Sequence, residues 1–225
     1  MNSIITIDGP AGAGKSTVSR LLAKELDYLY LDTGAMYRAV ALQARREGID
    51  FNDGGALMKM CRNIDIHFLS NHKGDNSIYM GEEDISSAIR TPDMDILASN
   101  ISAVREVREA MTDLQRKIGL NGRLVAEGRD MGTVVFPKAK YKFFITASTK
   151  VRAERRYKER IQRGESVQLV DVEAELAKRD KQDQSRAIAP LQPADDAVII
   201  DTSMSDIEQV IEKIHSILHF GFPDE

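Results

Sequence analysis

The stretch Gly9-Pro10-Ala11-Gly12-Ala13-Gly14-Lys15-Ser16-Thr17 fits the pattern G-x-x-x-x-G-K-[ST]. It follows the short apolar run Ile4-Ile5-Thr6-Ile7, and the segment Ser16–Leu26 after it places Val18, Leu21, Leu22 and Leu26 at helical spacing. A strand, a glycine-rich turn and a helix in that order make a phosphate cradle. Glycines let backbone N–H groups converge on an anion, and the helix start beside Lys15 adds the positive end of its dipole. Lys15 is placed to reach β- and γ-phosphates, and the Ser16 hydroxyl to ligate Mg²⁺. Gly9, Pro10, Ala11, Gly12, Ala13, Gly14, Lys15, Ser16 and Thr17 are therefore the candidate ATP-binding set.

Outward from this turn, strand and helix signals alternate as in a parallel α/β sheet. Ile4–Ile7, Tyr28–Leu31, Arg123–Glu127, Tyr141–Ala147 and Ala197–Asp201 read as strands with the apolar content of elements buried on both faces. Gly34–Glu47 reads as a helix. Ser205-Asp206-Ile207-Glu208 reads as a capping box opening a last helix with apolar Ile207, Val210, Ile211, Ile214 and Leu218. The expected fold is α/β: a P-loop NTPase fold with a five-stranded parallel core.

One region breaks the alternation. Ile64–Leu69 alternates with period two, Ser70–Asn76 is a polar turn, and Ser77–Met80 resumes as a strand. This predicts a small antiparallel insert between the second and third core strands. It runs into helices over about Pro92–Ser102 and Val104–Ile118. His67 and His72 lack partners at metal-ligand spacing and read as packing or solvated residues.

Composition bounds the function. The chain has 225 residues, 42% hydrophobic and 29% charged, enough for a buried core plus an inserted module. A net charge of −4 argues against a protein that coats nucleic acid. No apolar run approaches the ~20 residues that span a bilayer, and no charged segment precedes an apolar one at the N-terminus. A single cysteine, Cys61, allows no intrachain disulfide and reads as a small buried side chain. The expectation is a soluble, unprocessed cytoplasmic monomer that binds no nucleic acid and no membrane.

A phosphate cradle serves kinases, switches and motors alike. Neither D-x-x-G nor [NT]-K-x-D, which a GTPase would carry, occurs in the chain. Arginine is abundant instead. Asp32-Thr33-Gly34-Ala35-Met36-Tyr37-Arg38 follows the second strand, where open α/β sheets bind ligands, although Thr33 as an N-cap and Arg38 as a solvated charge fit too. Glu127-Gly128-Arg129-Asp130-Met131-Gly132-Thr133 follows the third. Arg152, Arg155 and Arg156 share one helix face, continued by Arg160 and Arg163, as either a phosphate grip or a solvated basic face. Arg179, Asp183 and Arg186 recur at i, i+4 and i+7, which places two guanidinium groups beside a carboxylate on one helix face. A surface helix laced with salt bridges has the same spacing. The apolar sequel Ala187-Ile188-Ala189-Pro190-Leu191 is suited to a hinge for a mobile lid.

Gly9–Thr17, Asp32–Arg38, the run G-R-D-M-G-T-V-V-F-P over Gly128–Pro137, and R-D-x-x-D-x-x-R-A-x-A-P-L over Arg179–Leu191 together resemble the bacterial cytidylate kinases. The resemblance covers nearly the whole chain in order. It implies a core of residues 1–32, 119–148 and 187–225, a monophosphate-binding region with the β insert over 33–118, and a helical lid over 149–186. It implies ATP-dependent phosphorylation of CMP and dCMP with Mg²⁺ accompanying ATP; another small acceptor, such as UMP or a sugar acid, is the alternative. Position by position, the acceptor contacts fall on Thr33, Arg38, Ser99, Arg108, Arg129, Asp130, Arg179, Asp183 and Arg186. Arg38, Arg129 and Arg186 would hold the phosphate, Ser99, Arg108 and Asp130 the base, and Arg179 and Asp183 the sugar. Lys15, Arg129, Arg155 and Arg186 are the candidates for compensating charge on the transferring phosphoryl. Two departures stand out: Thr33 replaces the serine of some members, and Glu127 the aspartate of many.

Overall fold

The computed structural model describes residues 3–70 and 76–220. Most of the expected polar turn, with His72, lies outside them. Five parallel strands form the central sheet: β1 (Ile4–Asp8), β2 (Leu29–Asp32), β6 (Leu124–Gly128), β7 (Tyr141–Thr146) and β8 (Val198–Asp201), in the order β2-β6-β1-β7-β8. Parallel neighbours need crossover connections, and the helices that supply them cover both faces. In β6, Leu124 and Ala126 pack toward one face and Val125 toward the other, the period-two alternation of a strand.

Burial on both faces holds for the inner strands only. The edge strands β2 and β8 leave Leu29 and Ile199 exposed. An edge has one neighbour and less cover. The third core strand begins at Leu124 because Arg123 adopts a left-handed φ of 49° that no strand continues.

Between β1 and α1 (Lys15–Leu26) the chain folds tightly, with Gly9 at φ 145° and Gly14 at φ 92°. A Cβ on Gly9 would lie 1.9 Å from the Ile145 carbonyl oxygen of β7, so no other residue fits this approach. α1 buries Val18, Leu22 and Ala23 against the sheet and α8 (Ile207–Phe220). The cap of α8 differs from the expected capping box by one residue. Asp206 accepts from the Gln209 N–H at 2.9 Å, and the Gln209 side chain accepts from the Asp206 N–H at 3.1 Å. Asp206 and Gln209 thus take the places assigned to Ser205 and Glu208.

On the other face lie α2 (Thr33–Glu47), α3 (Gly54–Asn63), α4 (Pro92–Ile101) and α5 (Arg105–Ile118) around a second apolar cluster that includes Met36, Val40, Met94 and Met111. Cys61 is buried there. The insert is antiparallel as expected, with β3 (Ile66–Ser70) and β4 (Asn76–Met80) joined by a third short strand, β5 (Glu83–Asp84). His67 stacks on Tyr79 with ring centroids 5.6 Å apart.

The helices α6 (Thr149–Gln162) and α7 (Leu169–Ser185) share a small apolar cluster of Ala153, Val172 and Leu176. α7 ends at Ser185, so Arg186 stands just beyond it in extended geometry and not on the helix face that i+7 spacing suggests. The apolar turn after α7 folds back on the end of that helix. Leu191 is buried, and its N–H donates to the Asp183 carbonyl at 2.8 Å.

Candidate active site

Because all core strands are parallel, their carboxyl ends open on one edge. Register there aligns Asp32 with Glu127 and Asp8 with Gly128. A cleft of about 1130 Å³ occupies this edge, bounded by the Gly9–Gly14 turn, α2, α4 and α5 on one side and α6 and α7 on the other. Lys15, Ser16, Thr33, Arg38, Ser99, Arg108, Arg129, Asp130, Arg155, Arg179, Asp183 and Arg186 all line it. Gly9 and Pro10 do not; they shape the turn from behind.

The phosphate-cradle end is built on buried charge. Lys15 donates from Nζ to the Pro10 carbonyl at 2.7 Å, and Ser16 donates from Oγ to Glu127 Oε1 at 2.7 Å. Thr33 is no N-cap. Asp32 caps α2 by accepting from the Ala35 N–H at 2.8 Å, while the Thr33 hydroxyl donates to the Glu127 carbonyl at 2.7 Å. Burial, reinforced by Arg129, pulls the Lys15 ammonium down to about 7. Burial and the neighbouring Asp32 push the Glu127 carboxyl up to about 7.

The next wall follows β6. Arg129 donates from Nε to Asp183 Oδ2 at 2.8 Å and so ties the sheet edge to α7. Asp130, 2% exposed, pairs with the equally buried Arg108, which also donates to the Ser102 carbonyl at 3.1 Å. The Arg108 guanidinium lies over the Tyr37 ring, 5.5 Å from its centroid. After Asp130 the chain makes one π-helical turn, Met131–Val135. Asp8 holds that turn: its two carboxylate oxygens accept from the N–H groups of Met131 at 2.9 Å and Gly132 at 2.8 Å. Burial pushes Asp8 up to about 6 despite these bonds.

Arginines close the remaining side. Arg38 pairs with Asp32 at 3.3 Å and with Asp95 at 3.5 Å. Arg186 lies 3.9 Å from Asp183 and donates to the Ala189 carbonyl at 2.8 Å. Burial lowers both Arg179 and Arg186, helped by Arg129 beside the first and Arg108 beside the second. Several polar atoms here are buried without a hydrogen-bond partner among the described residues: Nε of Arg38, Arg179 and Arg186, Oγ of Ser99 and Oε2 of Glu127. Buried groups of this kind are normally satisfied, so five such atoms on one cleft mark it as built around a polar ligand.

A family profile described as cytidylate kinase matches residues 5–219. The chain belongs to the cytidylate kinase family. A cytidylate kinase of Citrifermentans bemidjiense is 48% identical over 213 residues, 95% of this chain and 91% of that protein. Another, of Carboxydothermus hydrogenoformans, is 45% identical and covers 95% of this chain and 96% of its own length. A solved shikimate kinase from Bacteroides thetaiotaomicron aligns over 96% of this chain and 98% of its own, with a TM-score of 0.50 and 13% identity. That likeness shows the fold alone.

In this cytidylate kinase family cleft Asp95 and Gln182 escape a reading by motif, and Arg152 and Arg155, named from the sequence, find partners that spacing does not show. Asp95, on the first turn of α4, resembles any acid near a helix N-terminus, yet it pairs with Arg38, Arg156 and Arg179. Arg152 is not part of a solvated face. It is 4% exposed, donates to the Ala11 carbonyl at 3.1 Å and pairs with Asp180 at 2.7 Å, joining the phosphate turn to α7. Arg155 lines the cleft with its guanidinium held by the Thr202 hydroxyl at 2.9 Å and carbonyl at 2.7 Å. Gln182 reaches across from α7 to the Ser99 carbonyl at 3.2 Å. Their signal was the excess of arginine, which requires carboxylates that spacing alone does not single out.

Proposed function

We propose that the protein transfers the γ-phosphoryl of ATP to CMP and dCMP, with the core, the monophosphate-binding region 33–118 and the lid 149–186 meeting at this cleft. Family membership supports the reaction class. The observation that supports the division of roles is the buried Asp130–Arg108 pair, which lines the same cleft as Ser99 and the arginines whose Nε atoms lack partners.

Cytosine presents an amino donor at N4 and an acceptor at N3, so its reader needs an acceptor for the first and a donor for the second. Asp130 supplies one, Arg108 and Ser99 the other. Arg38, Arg129 and Arg186 bind the acceptor phosphate, Arg179 and Asp183 the sugar, and residues 9–17 the ATP phosphates. No strong base is required, because a phosphate monoester is largely dianionic at pH 7. The obstacle is repulsion between two polyanions, which Lys15 and the arginines offset while holding the reacting oxygens in line.

Mg²⁺ belongs to the proposal. Ser16 Oγ and the unpartnered Glu127 Oε2 stand together at the cradle and suit an ion held by phosphates and water; when bound it neutralises charge on the phosphate oxygens. No cluster of three or more His, Cys, Asp or Glu side chains that could hold a metal by themselves occurs among the described residues. No helix among them is long and apolar enough to cross a membrane, and a cytoplasmic monomer remains part of the reading.

Initial rates of ADP formation with CMP, dCMP, UMP and AMP test the assignment. CMP and dCMP should give the highest kcat/KM. UMP exceeding both would move the acceptor to uracil.

A further inference from the structure

Asp95 touches arginines of the proposed acceptor site and of the lid. It lies on α4. Oδ1 is 3.5 Å from Arg38 Nη1 of α2 and 4.0 Å from Arg179 Nη1 of α7, while Oδ2 pairs with Arg156 Nη2 of α6. Three arginines from three helices thus share one carboxylate, and Asp95 and Arg38 are each about a quarter exposed or less, so water weakens the contacts only in part.

The geometry of Arg38 decides what this means. One of its Nη atoms pairs with Asp32, the other with Asp95, and its Nε has no partner. A phosphate taken up by Nε and a neighbouring Nη meets a guanidinium whose charge Asp32 and Asp95 already offset, so the two carboxylates compete with it for Arg38. Asp32 is anchored by the Ala35 N–H of its own helix. Asp95 reaches Arg38 from a different helix, and its other oxygen is already held by Arg156.

We propose that Asp95 is an exchangeable counter-ion of the acceptor site: its carboxylate competes with the substrate phosphate for Arg38 and with the sugar for Arg179, and on binding keeps only its contact with Arg156 of the lid. This rests on the assignment of Arg38 and Arg179 to the acceptor. Two consequences follow. The competition weakens acceptor binding, and the α4–α6 link holds the lid against the monophosphate-binding region. Arg156 restrains the competitor by drawing Asp95 away from Arg38.

The test compares Asp95→Asn, Arg156→Gln and their double variant with the wild type, by steady-state kinetics on CMP and by hydrogen exchange without nucleotide. In Asp95→Asn the KM for CMP should fall by about 3- to 10-fold with kcat within about two-fold, an effect that shrinks as ionic strength rises. Amides of α6 and α7 should exchange faster. Arg156→Gln should raise the KM, because Asp95 is then left to Arg38 and Arg179. The double variant should follow Asp95→Asn. A KM that stays or rises in Asp95→Asn overturns the proposal, as does a KM that stays or falls in Arg156→Gln. If the wild type fails to phosphorylate CMP, the acceptor assignment itself is wrong, which is a separate outcome from an active wild type with indifferent variants.

Discussion

On the proposed assignment Asp130 carries the specificity of the cleft in one carboxylate, and its environment explains why a conservative change there would be read in selectivity. It is buried and paired with Arg108, so the pair is held in place from the protein side. Against uracil the carboxylate would face the O4 carbonyl, leaving a desolvated charge opposite an acceptor, and polar mismatches of this kind discriminate better than shape. Asp130→Asn should lower the CMP-to-UMP ratio of kcat/KM by about 1–3 kcal/mol, roughly 5- to 150-fold, mainly through loss on CMP. Paired assays on the two substrates check it; an unchanged ratio with both substrates slowed would assign Asp130 to the fold. Residues in motifs of this sort are legible in sequence because the motif is contiguous. Ser99 is not, since a lone serine on α4 has no pattern, and its buried unpartnered hydroxyl becomes visible only when α4 is packed against α2 at the cleft.

At the scale of elements, the alternation of apolar runs reveals the strands, the helices around them and the antiparallel insert. It does not reveal the π-helical turn after β6. Met131-Gly132-Thr133-Val134-Val135 looks like an ordinary apolar segment, and the wide turn exists because Asp8, more than a hundred residues away in sequence, accepts two of its N–H groups. Long-range satisfaction of backbone donors has no local signature. Asp130 immediately precedes this turn, so on the proposed assignment Asp8 supports acceptor recognition through the backbone. Asp8→Ala would strand both N–H groups at about 1–3 kcal/mol each. The two together come to about 2–6 kcal/mol, which relief of the buried Asp8 charge reduces, so denaturant unfolding should show a loss of roughly 2–4 kcal/mol. The KM for CMP should rise more than the KM for ATP. Equal rises in both would mean that Asp8 supports the phosphate cradle alone.

At the scale of the whole molecule, the cleft is a store of unfavourable charge that the folded core supports. Strand register brings Asp8, Asp32 and Glu127 to one edge beside Lys15, a clustering that the order of the strands produces and that no single segment shows. The consequence is a definite pH dependence. Glu127 rises from 4.5 to about 7 and Asp8 from 3.8 to about 6, so the folded protein holds protons there that the unfolded chain has released. Between pH about 4 and 7 these two groups therefore make stability fall as pH rises. Lys15, lowered from 10.5 to about 7, works in a different window: the unfolded chain binds more protons between pH about 7 and 10.5, and stability there rises with pH. Glu127→Gln removes one buried charge and should stabilise the protein at pH 8 by ~1–3 kcal/mol, or about 2–10 °C in Tm for a chain of this size. The gain belongs at the low end, because Glu127 also helps keep Lys15 protonated and its removal lets that ammonium fall further. At pH 5, where Glu127 is protonated in the fold, variant and wild type should melt within about 2 °C of each other. Turnover should drop even as the protein gains stability, since Ser16 loses its charged acceptor. A Glu127→Gln protein that melts below the wild type at pH 8 would show that the ionised Glu127–Lys15 pair stabilises the fold, and that the cleft is a source of stability to the molecule.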